Sequence, residues 1–276
     1  MGCIPDNGFA PAGLIDLSSA TIGVNTYLLD YGETTGNGTA THNLTLYRDP
    51  ASGALVFGAG TVFWAWGLSA EHDGAPTPTD PDIQQAMVNL LADMGVQPGT
   101  LQSGLVAAAK STDTTPPTSS LSTPGNGSSF VEGQPVVISG VASDVGGQVA
   151  GVEVSVDGGS TWFRASGTTN WSYTWDASAG THTIMSRATD DSVNVETPKS
   201  GISISVTARS TLLGTTAVPD NQTASDLNSL ELGVKFSAST AGTITGLRFW
   251  KDSINIGPHT ASLWSSTGQK LATISR

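Results

Sequence analysis

The sequence predicts a multidomain, mainly β chain in which an α/β segment is followed by two β-sandwich segments, the second of them incomplete. Three observations carry this. Gly occurs 33 times and charged residues are only 12% of the 276 residues, about half the usual charged share, and such a composition favours turn-rich β-structure. Short runs of alternating apolar and polar residues dominate beyond residue 117. One capped helical pattern stands alone before residue 112. At ~100–150 residues per domain, this length holds two domains, or two and a fragment.

The clearest boundary is Ser111-Thr112-Asp113-Thr114-Thr115-Pro116-Pro117-Thr118-Ser119-Ser120. Proline removes backbone donors and holds its neighbours extended, so no helix crosses this stretch and it reads as a linker. A second change falls near Val206-Thr207-Ala208-Arg209, where a strand pattern gives way to the polar run Pro219-Asp220-Asn221-Gln222. The expected segments are 1–112, 117–208 and 212–276.

In the first segment Asp80 reads as an N-cap, Pro81 as the first helical residue, and Ile83, Met87, Leu90, Leu91 and Met94 as one apolar face. Gly95 at C′ with Val96 behind it predicts a Schellman-type end. Leu44–Tyr47 and Ala54–Phe57 read as strands, the second an apolar run suited to a sheet covered on both faces.

In the second segment Val152, Val154 and Val156 alternate with Glu153 and Ser155, and Asp157-Gly158-Gly159-Ser160 turns the chain into Trp162-Phe163-Arg164-Ala165. Trp171, Tyr173 and Trp175 share one strand face, and Ile184, Ala188, Ile202, Ile204 and Val206 mark two further strands. About seven short strands in some ninety residues predict an immunoglobulin-like sandwich. Its tryptophans are expected in the core and at its rim, because so small a module without disulfides needs their buried area.

The third segment alternates at Leu232, Val234 and Phe236, then at Leu247 and Phe249, then at Ala261 and Leu263, and its last strand, Leu271–Ile274, meets the end of the chain. A sheet cut short there offers an edge to another chain.

With 11 basic and 23 acidic residues the formal charge is −12, which argues against nucleic acid or an anionic membrane as partner. Cys3 is the single cysteine, so neither an internal disulfide nor a thiolate metal site can form within the chain. No apolar run reaches the ~20 residues of a membrane span. Few lysines, many Ser, Thr and Gly and the acidic balance suit a secreted or cell-surface bacterial protein whose export signal lies upstream.

Several constellations could carry chemistry. Gly58-Ala59-Gly60-Thr61 follows a strand but lacks the Lys-Ser/Thr of a phosphate loop and the third glycine of a dinucleotide fingerprint. Trp64 and Trp66, just beyond, either cap the sheet edge or line a ligand-binding cleft. His72, beside Glu71 and Asp73, is the candidate catalytic residue, with His42 in the same segment; surface loop residues are the alternative. No HExxH or GxSxG motif accompanies them. Asp190, Asp191 and Asn194 gather oxygen atoms in one turn, and Asp144 lies in another turn that a sandwich brings to the same end. These four are the candidate calcium ligands, against the alternative of ordinary capped turns.

Residues 42–48, 53–61 and 85–98 (His42-Asn43-Leu44-Thr45-Leu46-Tyr47-Arg48, Gly53-Ala54-Leu55-Val56-Phe57 and Gln85 through Pro98) resemble the C-terminal region of the N,N-dimethylformamidase large subunit. That resemblance implies an amidotransferase-like α/β fold and an iron-dependent hydrolysis of an amide C–N bond. None of that family's iron-ligand motifs occurs in these residues, so no catalytic residue is carried over. Val152–Trp162, followed by Arg187-Ala188-Thr189-Asp190, is similar to bacterial Ig-like domains and to the Ig-like dimerisation domain of sulfite-oxidase-type enzymes, which implies a supporting module. Glu231–Phe236, Gly246–Lys251 and His259–Trp264 resemble a bacterial extracellular domain of unknown function, DUF4082. The function expected is that of a non-catalytic C-terminal portion of a large secreted bacterial protein, its modules serving as spacers or as units that bind extracellular polysaccharide or upstream domains of the same polypeptide. The competing expectation is an amidase-like hydrolase completed by residues 1–112, with Trp64, Trp66 and His72 in its cleft.

Overall fold

The computed structural model describes residues 6–30, 32–210, 232–238, 241–247, 249 and 257–275. Strand accounts for 41% and helix for 8%, which sets the class as mainly β. Contacts group the chain into two compact units, Met1–Arg209 and Ser210–Arg276.

The first unit opens with a long hairpin, β1 (Ile15–Leu28) and β2 (Thr35–Arg48), onto which β3 (Leu55–Gly58) adds to give the antiparallel order β1-β2-β3. Half of the residues of the two long arms are Thr, Gly, Asn or Ser, and all but Ile15 and Leu46 stay at least partly exposed. Only their base is buried, where Ile15 lies opposite Leu46. The expectation that β3 is covered on both faces is corrected: it pairs with β2 alone. Leu55 and Phe57 turn toward the core, while Val56 between them is exposed, as alternation on an edge strand requires.

Helices α1 (Trp64–Leu68) and α2 (Pro81–Asp93) follow. The Asp80 carboxylate accepts hydrogen bonds from the amides of Asp82 and Ile83, and Pro81 occupies the first turn. At the other end Gly95 has φ +77°, its amide donates to the Ala92 carbonyl, and the Val96 amide donates to Leu91. This is the expected Schellman end, and it needs the left-handed backbone that glycine adopts without strain. The buried face is wider than the apolar spacing predicts. Gln84 is buried with Val88, Leu90 and Ala92, and its side-chain amide donates to the Leu68 carbonyl at 2.9 Å, whereas Met94 is exposed.

The sandwich comprises β4 (Thr118–Thr123), β5 (Ser129–Val131), β6 (Pro135–Ser143), β7 (Val149–Ser155), β8 (Phe163–Arg164), β9 (Ser166–Gly167), β10 (Asn170–Asp176), β11 (Gly180–Asp190) and β12 (Ile202–Thr207). One sheet runs β4-β6-β10-β9; the other runs β5-β12-β11-β7-β8, with β5 parallel to β12. Between them lie Val136, Ile138, Val152, Val154, Trp171, Ile184, Ile204 and Val206, all under 10% exposed. Trp171 is 3% exposed, with Tyr173 and Trp175 packed half-buried beside it, so the aromatic face is covered as its spacing demands. Gly140, opposite Trp171 in the ladder, makes room for the indole: a Cβ there would run into both the ring and the Ser120 carbonyl.

Alternation predicts Glu153 and Ser155 facing solvent, but both are buried. Ser155 points into the turn after β7, its hydroxyl donating to Asp157 and accepting from the Gly159 amide, and Glu153 lies under an overlay by the start of the chain. Glu153 takes a two-pronged hydrogen bond from Arg187 (Nε at 2.8 Å, Nη2 at 3.1 Å) and one from the Gly13 amide. Arg187 in turn lies over the Trp162 ring. The Arg164 amide donates to Asp6, and its guanidinium pairs with Asp16 at 2.8 Å. Gly13, at φ +70°, passes so close to Val195 and Thr189 that no side chain fits. A second small core, Ile15, Leu46, Leu90 and Val193, closes this contact.

In the second unit β13 (Thr260–Trp264) and β14 (Lys270–Ser275) form a hairpin around a turn at Gly268, which has φ +84°. The strands expected at Ala261 and Leu263 and at Leu271–Ile274 are these two. Leu232, Val234, Phe236 and Leu247 lie in no strand and are exposed, so alternation there is not matched by a ladder among the described residues. Cys3, the run from Pro219 to Gln222, and Arg248, Trp250 and Lys251 lie outside the described residues.

Candidate functional site

The end of β6 and the end of β11 lie at the same pole of the sandwich, and the chain entering from residue 112 crosses it. Three carboxylates meet there: Asp113 from the entering segment, Asp144 from the β6–β7 turn and Asp190 from the end of β11. An oxygen from each lies within 4.8 Å of the others. At an effective dielectric of ~20, two like charges 4 Å apart repel by about 4 kcal/mol, so so tight a trio calls for a proton or a cation.

Asp190 is fully buried. Its Oδ1 accepts from the amides of Ser192 (2.9 Å) and Asn194 (2.8 Å), and its Oδ2 accepts from the Asn194 side-chain amide at 2.9 Å. Burial pushes its pKa above the ordinary carboxylate value, the hydrogen bonds from Asn194 and Ser192 work against this, and the charge of Asp113 adds to it. The turn it organises holds Val193 at φ +57°. For a β-branched residue this is strained backbone, and it is held by packing Val193, 3% exposed, against Ile15, Leu46 and Leu90.

Asp144 and Asp113 are placed differently. Both carboxylate oxygens of Asp144, and Oδ2 of Asp113, are closed off from solvent and meet no hydrogen-bond donor among the described residues. Asp113 Oδ1 accepts from the Thr115 amide. Gly147 fronts the group. A Cβ on it would stand 2.5 Å from Asp191 Oδ1, 2.9 Å from Asp113 Oδ2 and 3.0 Å from Asp144 Oδ2. A glycine there leaves open the space on which oxygens from Asp113, Asp144 and Asp191 converge.

Of the four residues expected from sequence, the structure therefore brings Asp144 and Asp190 together. Asp191 sits beside them and is engaged with the turn: its Oδ1 accepts from the Gln148 amide while its own amide donates to the Gln148 carbonyl. Asn194 offers donors, one to Asp190 and one to the Asp113 carbonyl at 3.2 Å. Sequence reasoning missed Asp113, which stands in a Pro/Thr stretch read as a linker. Its nearness to Asp190 across 77 positions leaves no local signal.

The candidates of the first segment are arranged otherwise. The Nδ1–H of His72 donates to the Asp73 carbonyl at 2.8 Å, which leaves Nε2 to accept from the Thr77 hydroxyl at 2.9 Å. The ring is stacked on Trp66 at 4.4 Å. Trp66 also meets Phe63, and Trp64 meets Phe57 of β3 edge-on at 5.4 Å. His42 donates from Nε2 to the Ala59 carbonyl, closing the Gly58–Gly60 turn. Among the described residues His42 and His72 do not come into one group with acidic residues. A pocket of about 200 Å³ lies instead between the overlay and the sandwich, lined by Leu14, Asp16, Glu153 and Arg164; ligand pockets usually hold ~300–1,000 Å³.

Comparison with known proteins agrees with the sandwich. Residues 117–185 match the model of a bacterial Ig domain, and residues 216–275 match that of a domain of unknown function, DUF4082. Neither match reaches residues 1–112, whose resemblance to the dimethylformamidase family rests on its residues alone. No curated protein matches the chain. Among solved structures, the fibronectin(III)-like modules of Clostridium thermocellum CbhA are 27% identical, covering 33% of this chain and 98% of that one with a TM-score of 0.29. A modular endo-beta-1,4-mannanase from Cellulomonas fimi is 20% identical, covering 39% of this chain and 21% of that one with a TM-score of 0.23. No helix among the described residues is long and apolar enough to cross a membrane.

Proposed function

We propose that this chain is a non-catalytic portion of a secreted or cell-surface bacterial protein, with segments 1–112, 117–208 and 212–276, and that its Ig-like module acts as a stiff spacer. The observation supporting this reading is the overlay. The outer face of β7 and β11 is occupied by residues 6–16 of the same chain through Glu153, Arg187, Arg164 and Asp16, so the module and the segment before it form one body. A joint fixed by buried polar contacts transmits orientation where a flexible Pro/Thr linker would not. His72, Trp64 and Trp66 act in this reading as loop and sheet-edge packing.

Calorimetry of the full chain tests it. Residues 6–209 should unfold in one cooperative transition, and Glu153→Ala should lower that whole transition. Two separable transitions within these residues would defeat the spacer reading. Retention of the full chain on insoluble polysaccharide would make it a binding unit instead.

A further inference from the structure

We infer that Asp113, Asp144 and Asp190 form a calcium site that ties the segment before the Ig-like module to the pole of its sandwich. The inference goes beyond the spacer reading and stands whether the module spaces or binds. Two observations beyond the acidic cluster carry it. Both oxygens of Asp144 and Oδ2 of Asp113 are shut off from solvent with no donor facing them, and a buried carboxylate without partners is retained only if something else satisfies it. The backbone also leaves the space open. Gly147 presents its bare side where oxygens of Asp113, Asp144 and Asp191 converge, and its backbone is not of the left-handed kind that favours glycine, so the missing side chain is a matter of room.

The donor set selects the ion. Its Asp, Glu, His and Cys side chains among the described residues are all carboxylates, with no imidazole or thiolate, which fits a hard cation and disfavours zinc or copper. The oxygens come from three separated stretches of chain. Calcium accepts six to eight oxygens in irregular geometry, whereas magnesium demands a near-ideal octahedron and keeps its water, so calcium is the better match. Binding would couple residue 113, just ahead of β4, to the turns at 144–148 and 190–194, and through Val193 to the small core with Ile15, Leu46 and Leu90.

The experiment uses the full chain freed of metal by a chelator, titrated calorimetrically with CaCl₂ and melted with and without it. Affinities of extracellular modules lie at ~10⁻⁴–10⁻³ M, and saturation at 100 times Kd should raise Tm of the first unit by about 5–10 °C. Asp144→Asn removes an oxygen charge, and Gly147→Ala fills the space while keeping every carboxylate; each should reduce the calcium-dependent rise at least fivefold. Should Gly147→Ala fail to fold, Asp144→Asn decides alone. The assignment is overturned if millimolar calcium gives neither heat nor a rise in Tm. It is equally overturned if magnesium acts as strongly as calcium, or if the rise survives in the folded variants.

Discussion

Glu196 and Asp144 are both acidic residues withdrawn from solvent in one sandwich, but their surroundings differ in kind. The Glu196 carboxylate accepts from the amides of Ser119 (2.9 and 3.0 Å) and Ala188 (3.0 Å), with Lys199 at 3.6 Å. It thereby joins β4 of one sheet to β11 of the other, where no strand ladder runs between them. Asp144 meets no donor among the described residues. A carboxylate whose lone pairs are taken by backbone amides is part of the frame; one whose lone pairs are left over repels its acidic neighbours. The contrast lies in the donors rather than in burial alone: Glu196 is buried, and Asp144 is half-buried with both carboxylate oxygens closed off from solvent.

Trp171→Ala sets the scale on which this contrast is read. The indole is in neither site and is 3% exposed over Gly140, so its loss should destabilise the first unit by about 3–5 kcal/mol in urea unfolding. A loss near zero would mean that the aromatic face is not covered in solution.

Glu196→Ala should follow closely. It leaves the Ser119 and Ala188 amides buried and unpaired, at about 1–3 kcal/mol each, for an expected loss of roughly 3–4 kcal/mol by the same measurement. Glu196→Gln keeps one acceptor oxygen and should recover part of this. If Glu196→Ala instead cost as little as an exposed residue does, the partnered half of the comparison would fall.

The two sites also differ in how far the sequence shows them. What is local was legible: Asp80, Pro81 and Gly95 set both ends of α2 through contacts within five positions, and the alternating valines of β7 placed the sandwich core. What depends on distant chain was not. Glu153 reads as a solvent-facing residue of an alternating strand and is buried where Arg187 clamps it and Gly13, 140 positions away, lies over it. The arms β1 and β2 bury so few apolar residues that their pattern gives little signal of a hairpin. Asp144 and Asp190 were readable as oxygen-rich turns, while Asp113 joins them only through the path of the folded chain.

Asp157 is a third carboxylate, exposed but well partnered, and sharpens the comparison through pH. It caps the turn after β7, accepting from the amides of Ser160 and Thr161 and the hydroxyls of Ser155 and Thr161. Burial pushes its pKa up, but the hydrogen bonds from Thr161, Ser155 and Ser160 outweigh this and leave it below the ordinary 3.8. A carboxylate depressed in the fold contributes its full stability above 3.8 and loses it as the pH falls through the lower folded value. Asp157→Ala should therefore cost about 1–2 kcal/mol at neutral pH, and the gap to the unaltered chain should narrow as the pH falls below 3.8. A gap independent of pH would show that the charge plays no part in the turn.

Asp144→Asn, in the metal-free chain, carries the smallest effect and the opposite sign. The substitution removes one of three like charges held within 4.8 Å and breaks no hydrogen bond with the described residues. Relief of repulsion is offset by burying an amide with no better partners, so the net expectation is a gain of up to about 1 kcal/mol, read as a higher melting temperature in chelator than that of the unaltered chain. The same substitution at Glu196 should lower it, because there the lost oxygen was bonded. Opposite signs for one acid-to-amide change at these two positions would establish the difference between them. A loss at Asp144 equal to that at Glu196 would instead show that Asp144 is already satisfied without a cation, and the two sites would have to be regarded as one kind.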